Sequence, residues 1–287
     1  MERLTTADGR TLAYHRSGSG PTLVCHPGGP GFSSLYLGDL AGVDRELELV
    51  LLDPRGTGGS DPARDSGGYA IADYAADVEE LREHLGLEQL LLLGHSHGGV
   101  VAVEYAARHP DRVERLILAS TLSRHGPEQE AAMQQAVEAR QGEPWYDDAV
   151  AALETEAQGS FADGRELMEL CRRMMPLYYA DYGEREQRHV ASLADDSLCV
   201  DATRLWEKEI WEHFDMRPLL PSLTMPTLVI TGEQDFITGP ACAAELAEGI
   251  PTAKTIVLPG AGHMIHIEAP ERFREAVLSF LGVGARA

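Results

Sequence analysis

The chain has 287 residues, of which 44% are hydrophobic and 24% are charged, and its formal net charge is −22. This length and composition are typical of a globular protein with one large α/β domain or two smaller ones. The negative charge argues against nucleic acid or an anionic membrane as a partner, because both would repel an acidic surface.

The sequence offers no sign of a membrane or secretory location. No apolar run approaches the ~18 residues that a membrane span needs, and the first residues lack the apolar core of a signal peptide, so we expect a cytoplasmic protein. Four cysteines, Cys25, Cys171, Cys199 and Cys242, lie far apart without C-x-x-C spacing. This spacing favours free thiols over a disulfide framework or a metal site.

Short apolar runs alternate with helical patterns along most of the chain. Strands are predicted at 22–26, 47–53, 89–94, 113–120, 226–232 and 254–259. Helices are predicted at 71–85, 100–108, 240–249 and 270–281. This alternation predicts an α/β fold with a mostly parallel central sheet flanked by helices, in which the carboxyl ends of the strands meet at one edge.

The pattern changes between residues 122 and 222, where no strand-like run occurs. Amphipathic stretches predict helices at 128–141, 146–158, 165–175 and 201–214. A long, acidic, helical insertion between two strands favours a cap over the active edge of the sheet rather than a packing excursion. We therefore predict a core formed by residues 1–121 and 223–287, with a helical cap at 122–222.

The most informative motif follows the apolar run at 90–93 and has the form G-x-S-x-G. Gly94 and Gly98 flank Ser96, and their missing Cβ atoms permit a sharp turn from a strand into a helix. The helix N-terminus would then point at Ser96 and favour negative charge there. The motif predicts a nucleophilic serine, with a glycine-rich turn and an incidental serine as the alternative.

Two later loops supply the partners that a nucleophilic serine needs. A serine hydroxyl requires a base, and His263 lies on a loop between the last predicted strand and the last predicted helix. Asp235 follows the preceding strand and would orient the imidazole. For the oxyanion we predict the backbone N–H groups of His97, directly after the serine, and of Gly29, in the loop after the first predicted strand.

We predict structural roles for other polar residues near these motifs. Asp53 lies in an Asp-Pro-Arg-Gly turn, which favours a loop-fixing role. His95 and His97 are predicted to shape the pocket floor. His266 forms H-x-x-H with His263, but the H-E-x-x-H zinc pattern is absent. We predict neither a metal nor another cofactor.

Together these motifs resemble the α/β-hydrolase superfamily, and within it most closely the proline iminopeptidase branch. The resemblance rests on Gly-Gly-Pro-Gly at 28–31, the turn at 53–60, the serine motif, Gly-Glu-Gln-Asp at 232–235 and Gly-His at 262–263. It implies a helical cap whose carboxylates bind the free amine of a substrate. Glu207 and Glu209 are the candidate anchors, with ordinary solvated helix residues as the alternative. Trp206 and Phe236, which follows the aspartate directly, are further candidates for substrate contact, although Trp206 and Trp211 also suit a cap core.

The sequence thus predicts a serine hydrolase that acts through an acyl-enzyme on small molecules or short peptides, as an iminopeptidase-like aminopeptidase. A carboxylesterase or thioesterase of small-molecule metabolism is the first alternative. A hydrolase-fold protein that only binds a ligand is the second. The sequence leaves the oligomeric state open.

Overall fold

The computed structural model describes residues 1–193 and 198–284. Eight strands form one sheet: β1 Glu2–Thr5, β2 Thr11–Gly18, β3 Thr22–His26, β4 Glu48–Leu52, β5 Leu90–His95, β6 Val113–Ala119, β7 Thr227–Gly232 and β8 Ala253–Leu258. Their order across the sheet is β1-β2-β4-β3-β5-β6-β7-β8. The pairs β1–β2 and β2–β4 are antiparallel, and the other five pairs are parallel. The predicted α/β fold with a mostly parallel sheet is confirmed.

All six predicted strands are present. The sheet also contains two strands that the sequence pattern did not indicate, β1 and β2. These two strands form an N-terminal hairpin around Gly9, which has a φ of +83°. Only one side chain of β1 is buried, and toward its end β2 alternates between half-buried and exposed residues. The long apolar runs that identify parallel strands are therefore missing from this antiparallel edge.

The helices outside the insertion follow the prediction closely. They are α1 Ile71–His84, α2 His97–Arg108, α8 Pro240–Gly249, the short α9 Ile265–Glu268 and α10 Pro270–Leu281. One apolar cluster joins a face of the sheet to α1, α2 and α8, and another joins the opposite face to α10. α2 begins three residues earlier than predicted, directly after Ser96.

The segment between β6 and β7 is helical. It contains α3 Pro127–Glu138, α4 Tyr146–Ala157, α5 Gly164–Met174, α6 Glu184–Ala191 and α7 Val200–Leu205, which continues into a π-helical turn at Trp206–Ile210. The helix predicted at 201–214 is thus shorter and changes its winding, and α6 was not predicted. An isolated antiparallel bridge joins Arg124 to Asp215, so the segment leaves and re-enters the core side by side. The exact division at 122–222 stays a prediction.

The helical segment has an apolar core of its own, which includes Phe161, Leu167, Met168 and Tyr179. The helical segment lies over the edge of the sheet where β3, β5, β7 and β8 end, because residues of the inserted helices and of the loops after these strands line one cavity there. No helix in the described ranges is long and apolar enough to cross a membrane.

Candidate active site

Ser96 occupies a strained turn between β5 and α2. Its backbone has a φ of 55° and a ψ of −124°, a region that costs a side-chain-bearing residue free energy and that clusters at functional sites. The turn is tight because β5 and α2 pass very close: a Cβ on Gly94 would overlap the backbone of Gly98, and one on Gly98 would overlap the carbonyl of His26. Hydrogen bonds from Ser96 N to Ala119 O (2.9 Å) and from Thr121 Oγ1 to Ser96 O (2.7 Å) hold it in place.

Asp235 and His263 form a buried pair on the loops after β7 and β8. His263 Nδ1 lies 2.9 Å from Asp235 Oδ2. The same carboxylate accepts hydrogen bonds from the backbone N–H groups of Ile237 and Thr238 and from the Thr238 hydroxyl. Burial alone would raise the pKa of Asp235, but the positive charge of His263 and these hydrogen bonds lower it to about 2.

This pairing fixes the tautomer of His263. A carboxylate can only accept, so Nδ1 carries the proton and Nε2 of the neutral ring keeps a lone pair. The loop is held on both sides, since His263 N donates to Tyr178 O at 2.8 Å and Gly262 N donates to Glu268 Oε2 at 2.7 Å. His263 and Ser96 line the same cavity, so the ring is arranged as a proton acceptor there.

The loop after β3 packs against the serine. A Cβ on Gly28 would lie 2.7 Å from Ser96 Cβ, and Gly29 has a φ of +118°, so the loop needs glycine at both positions. His97 is the first residue of α2, where a backbone N–H has no acceptor within the helix. Gly28, Gly29, Ser96 and His97 all line the cavity. The amides of Gly29 and His97 are therefore available for an oxyanion beside Ser96.

The cavity encloses about 190 Å³ and its walls are mostly apolar. Two carboxyl groups interrupt this surface: Glu207, a predicted candidate, and Glu156 on α4, which was not predicted. Burial raises the pKa of Glu156 to about 7. Burial, with a smaller contribution from the charge of Glu156, raises the pKa of Glu207 to about 8. Within residues 1–193 and 198–284, neither carboxyl has a hydrogen-bond donor or an ion-pair partner.

The other predicted substrate contacts differ in whether they line the cavity. Trp206 is 5% exposed, belongs to the apolar core and also lines the cavity, with its ring edge-on to His97 at 4.7 Å between centroids. Trp211 lines the cavity as well. Glu209 is exposed and Phe236 is buried against Tyr178, and neither of them lines the cavity. Of the four predicted substrate contacts, Glu207 and Trp206 line the cavity, whereas Glu209 and Phe236 do not.

Asp53 and His266 have structural surroundings. Asp53 is fully buried and accepts hydrogen bonds from the backbone and hydroxyl of Ser34 and from Gly59 N, and it also contacts His15 Nε2. Burial, together with the charge of His189, lowers the pKa of His266 to about 3, so this ring is neutral. Among the residues that the structure describes, no three His, Cys, Asp or Glu side chains are grouped to hold a metal ion.

Comparison with known proteins assigns the fold to a family. The family described as alpha/beta hydrolase fold matches residues 21–270. The chain belongs to this family and is an α/β-fold hydrolase. It is similar to a putative carbamate hydrolase, RutD, from a Caulobacter species, with 27% identity over 96% of this chain and 97% of that protein.

Two further relatives differ in the chemistry of their substrates. A proline iminopeptidase from Saccharolobus solfataricus is 25% identical over 93% of this chain and 87% of its own length. An enol-lactonase from Burkholderia xenovorans has 28% sequence identity to this chain. Its crystal structure superposes with a TM-score of 0.74 over 98% of this chain and 100% of that one. The relatives thus include enzymes named for amide and for ester substrates.

Proposed function

We propose that this protein is a serine hydrolase that forms an acyl-enzyme on Ser96 and prefers small amide or ester substrates with a free amine, as an iminopeptidase-like aminopeptidase does. The observation that carries the proposal is the composition of one cavity. Ser96, His263 and the Gly29 and His97 amides lie on its sheet side, and the Glu156 and Glu207 carboxyls lie on its helical side.

The reaction follows from the tautomer of His263. Its Nε2 accepts the Ser96 hydroxyl proton as Oγ attacks the substrate carbonyl carbon, and the Gly29 and His97 N–H groups stabilise the oxyanion. His263 then gives that proton to the leaving amine or alcohol, and the carbon–nitrogen or carbon–oxygen bond breaks. Water, deprotonated by the same nitrogen, attacks the acyl-enzyme, releases the acid and restores Ser96. Asp235 stabilises the imidazolium in both steps.

The two carboxyls support the preference for an amine. With pKa values near 7 and near 8, the pair is only partly ionised at neutral pH and carries less than one full negative charge. A cation in the cavity favours the ionised carboxylates, so an amine displaces a proton from the pair and binds in its place. The rings of Trp206 and Trp211 line the same cavity as Glu207, and aromatic rings attract an ammonium group.

The test compares matched substrates and matched variants. L-prolyl and L-alanyl arylamides are compared with their N-acetylated forms and with p-nitrophenyl acetate, and Ser96→Ala is the inactive reference. Glu207→Gln should lower kcat/KM about 10–100-fold for the free-amine arylamides only, because it removes one buried ion pair. Glu209→Gln changes an exposed carboxyl in the same turn and should leave every substrate unaffected.

Two results would reject the aminopeptidase preference. Hydrolysis of p-nitrophenyl acetate without turnover of any arylamide would assign the protein to the carboxylesterases, a function that the apolar wall formed by Met133, Met174 and Met175 would also serve. Full ligand affinity and biological effect in Ser96→Ala would instead identify a protein that only binds its ligand.

A further inference from the structure

A chain of short hydrogen bonds joins three parts of the site that are distant in sequence. Gly28 N–H donates to the hydroxyl oxygen of Tyr36 at 2.6 Å. That hydroxyl lies 2.6 Å from His95 Nδ1, and His95 Nε2 lies 3.2 Å from the carbonyl oxygen of His263. The chain therefore runs from the loop that carries Gly29, through the turn that carries Ser96, to the backbone of His263.

The direction of every hydrogen bond in this chain is determined by its end groups. The His263 carbonyl can only accept, so His95 Nε2 carries a proton. Burial, with the charges of His263 and His266, lowers the pKa of His95 well below its usual range, so the ring is neutral and Nδ1 is an acceptor. Tyr36 must then donate its proton to His95, and its oxygen is free to accept the Gly28 N–H.

This arrangement decides which amide of the glycine loop faces the substrate. The Tyr36 hydroxyl accepts the hydrogen bond of Gly28 N–H, and the Gly28 backbone packs against Ser96. The next amide, that of Gly29, has no acceptor within the described residues and lies at the cavity wall. At the other end, His95 fixes the carbonyl of the residue whose ring accepts the serine proton. Loss of the Tyr36 hydroxyl would leave Gly28 N–H and His95 Nδ1 buried without partners.

We propose that Tyr36 and His95 are positioning residues that couple the oxyanion loop to the serine turn and to the base, and that Tyr36 reserves the oxyanion position for the Gly29 amide. This inference rests on the proposed acyl-enzyme mechanism. Neither residue exchanges a proton with the substrate. Their effect is on geometry, so it should fall on the tetrahedral state more than on substrate binding.

The principal test is Tyr36→Phe, which removes one oxygen atom and keeps the ring. The concentration of active sites is measured by titration with a fluorophosphonate, so that misfolded protein does not count. For p-nitrophenyl acetate we expect kcat/KM per active site to fall about 10–100-fold, by analogy with the loss of an oxyanion donor. The inhibition constant of phenylboronic acid, which forms a tetrahedral adduct on serine, should weaken by a similar factor.

Tyr105→Phe is the matched control. Tyr105 is fully buried on α2, and its hydroxyl donates to Glu79 Oε2 at 2.8 Å. This variant also loses the hydrogen-bonded hydroxyl of a buried tyrosine, but it leaves the chain through Tyr36 intact. Its kcat/KM per active site and its affinity for phenylboronic acid should equal those of the wild type.

His95→Asn provides a second, independent variant. The asparagine oxygen can still accept from Tyr36, but the side chain is too short to reach the His263 carbonyl. Because both residues act in one chain, the double variant should lose less activity than the product of the two single losses. Multiplicative losses, or wild-type kcat/KM and boronate affinity in Tyr36→Phe, would overturn the inference.

Failure of the underlying mechanism would look different. If Ser96→Ala kept its turnover of p-nitrophenyl acetate, the proposed acyl-enzyme would be wrong, and this inference with it. If Ser96→Ala were inactive while Tyr36→Phe behaved as the wild type, only the positioning role would be rejected.

Discussion

The carboxyl groups on the two sides of the cavity differ in how completely they are paired. On the sheet side, the Asp235 carboxylate accepts hydrogen bonds from Ile237, Thr238 and His263. On the helical side, the Glu156 and Glu207 carboxyls have no partner within residues 1–193 and 198–284. Both side chains are half-buried, and a desolvated carboxyl without a partner costs free energy, whereas a paired one is fixed in position.

This difference separates two tasks. The paired groups lie on loops that follow strands of a rigid sheet, where they keep one geometry through the reaction. The unpaired groups lie on the inserted helices, where the ammonium group of the proposed substrate would pair with them. Under the proposed function, the sheet side carries out acyl transfer and the helical side selects the substrate.

The largest expected effect comes from breaking the paired side at Asp235. Asp235→Asn would present an amide N–H to His263 Nδ1, so that the proton moves to Nε2 and the ring can no longer accept the serine proton. We expect kcat/KM to fall by about 10³–10⁴-fold, measured with any substrate that the wild type hydrolyses. Glu233→Gln, an exposed change in the same loop, should be silent. More than a tenth of wild-type activity in Asp235→Asn would contradict the assignment.

A smaller effect is expected from crowding the backbone that supports the sheet side. A Cβ on Gly232 would overlap the carbonyl oxygens of Ala261 and Gly262, next to His263. Gly232→Ala should therefore lower the free energy of unfolding by about 3 kcal/mol, as measured by urea denaturation.

The matched change on the helical side is Gly183→Ala. A Cβ there would lie 3.3 Å from the Glu186 carboxyl, a close contact without overlap, so the loss should stay below about 1 kcal/mol. Equal losses in the two variants would mean that the sheet edge is no more tightly packed than the insertion.

The unpaired carboxyls predict a pH-dependent stability. Their pKa values of about 7 and about 8 lie above the ordinary value of 4.5. Between these values, the folded protein binds more protons than the unfolded chain. The free energy of unfolding should therefore fall as the pH rises from about 5 to about 8. Glu207→Gln should reduce this fall by roughly 1–3 kcal/mol.

The comparison must be made between variants, because burial also raises the pKa of Glu268 to about 7. Glu268 titrates in both wild type and Glu207→Gln, so its contribution cancels in the difference. Identical pH dependence in the two proteins would show that the helical carboxyls are not the destabilised groups described above.

Sequence reasoning identified the sheet side better than the helical side, for a physical reason. Ser96 and Asp235 follow buried strands, His263 follows the parallel edge strand β8, and the carboxyl ends of parallel strands must meet at one edge. Their proximity is therefore a consequence of local patterns in the sequence. The N-terminal hairpin was missed because its strands lack the continuous apolar runs of buried parallel strands.

The helical side depends on how several helices pack, which no local pattern determines. Glu156 is one of several acidic residues on α4, and only the packing of α4 brings it to the cavity. Glu207 and Glu209 are two residues apart, but the turn at 206–210 directs one into the cavity and the other to the surface. Tyr36 follows the glycine loop in sequence, yet its contact with His95 depends on the tertiary fold.

The central claim, that Ser96 becomes acylated, has one direct measurement. The protein is incubated with a fluorophosphonate, digested, and analysed by mass spectrometry for the modified peptide. We predict a single adduct on Ser96, formed much more slowly in His263→Ala than in the wild type. An adduct on another residue, or an equal rate in His263→Ala, would contradict the account.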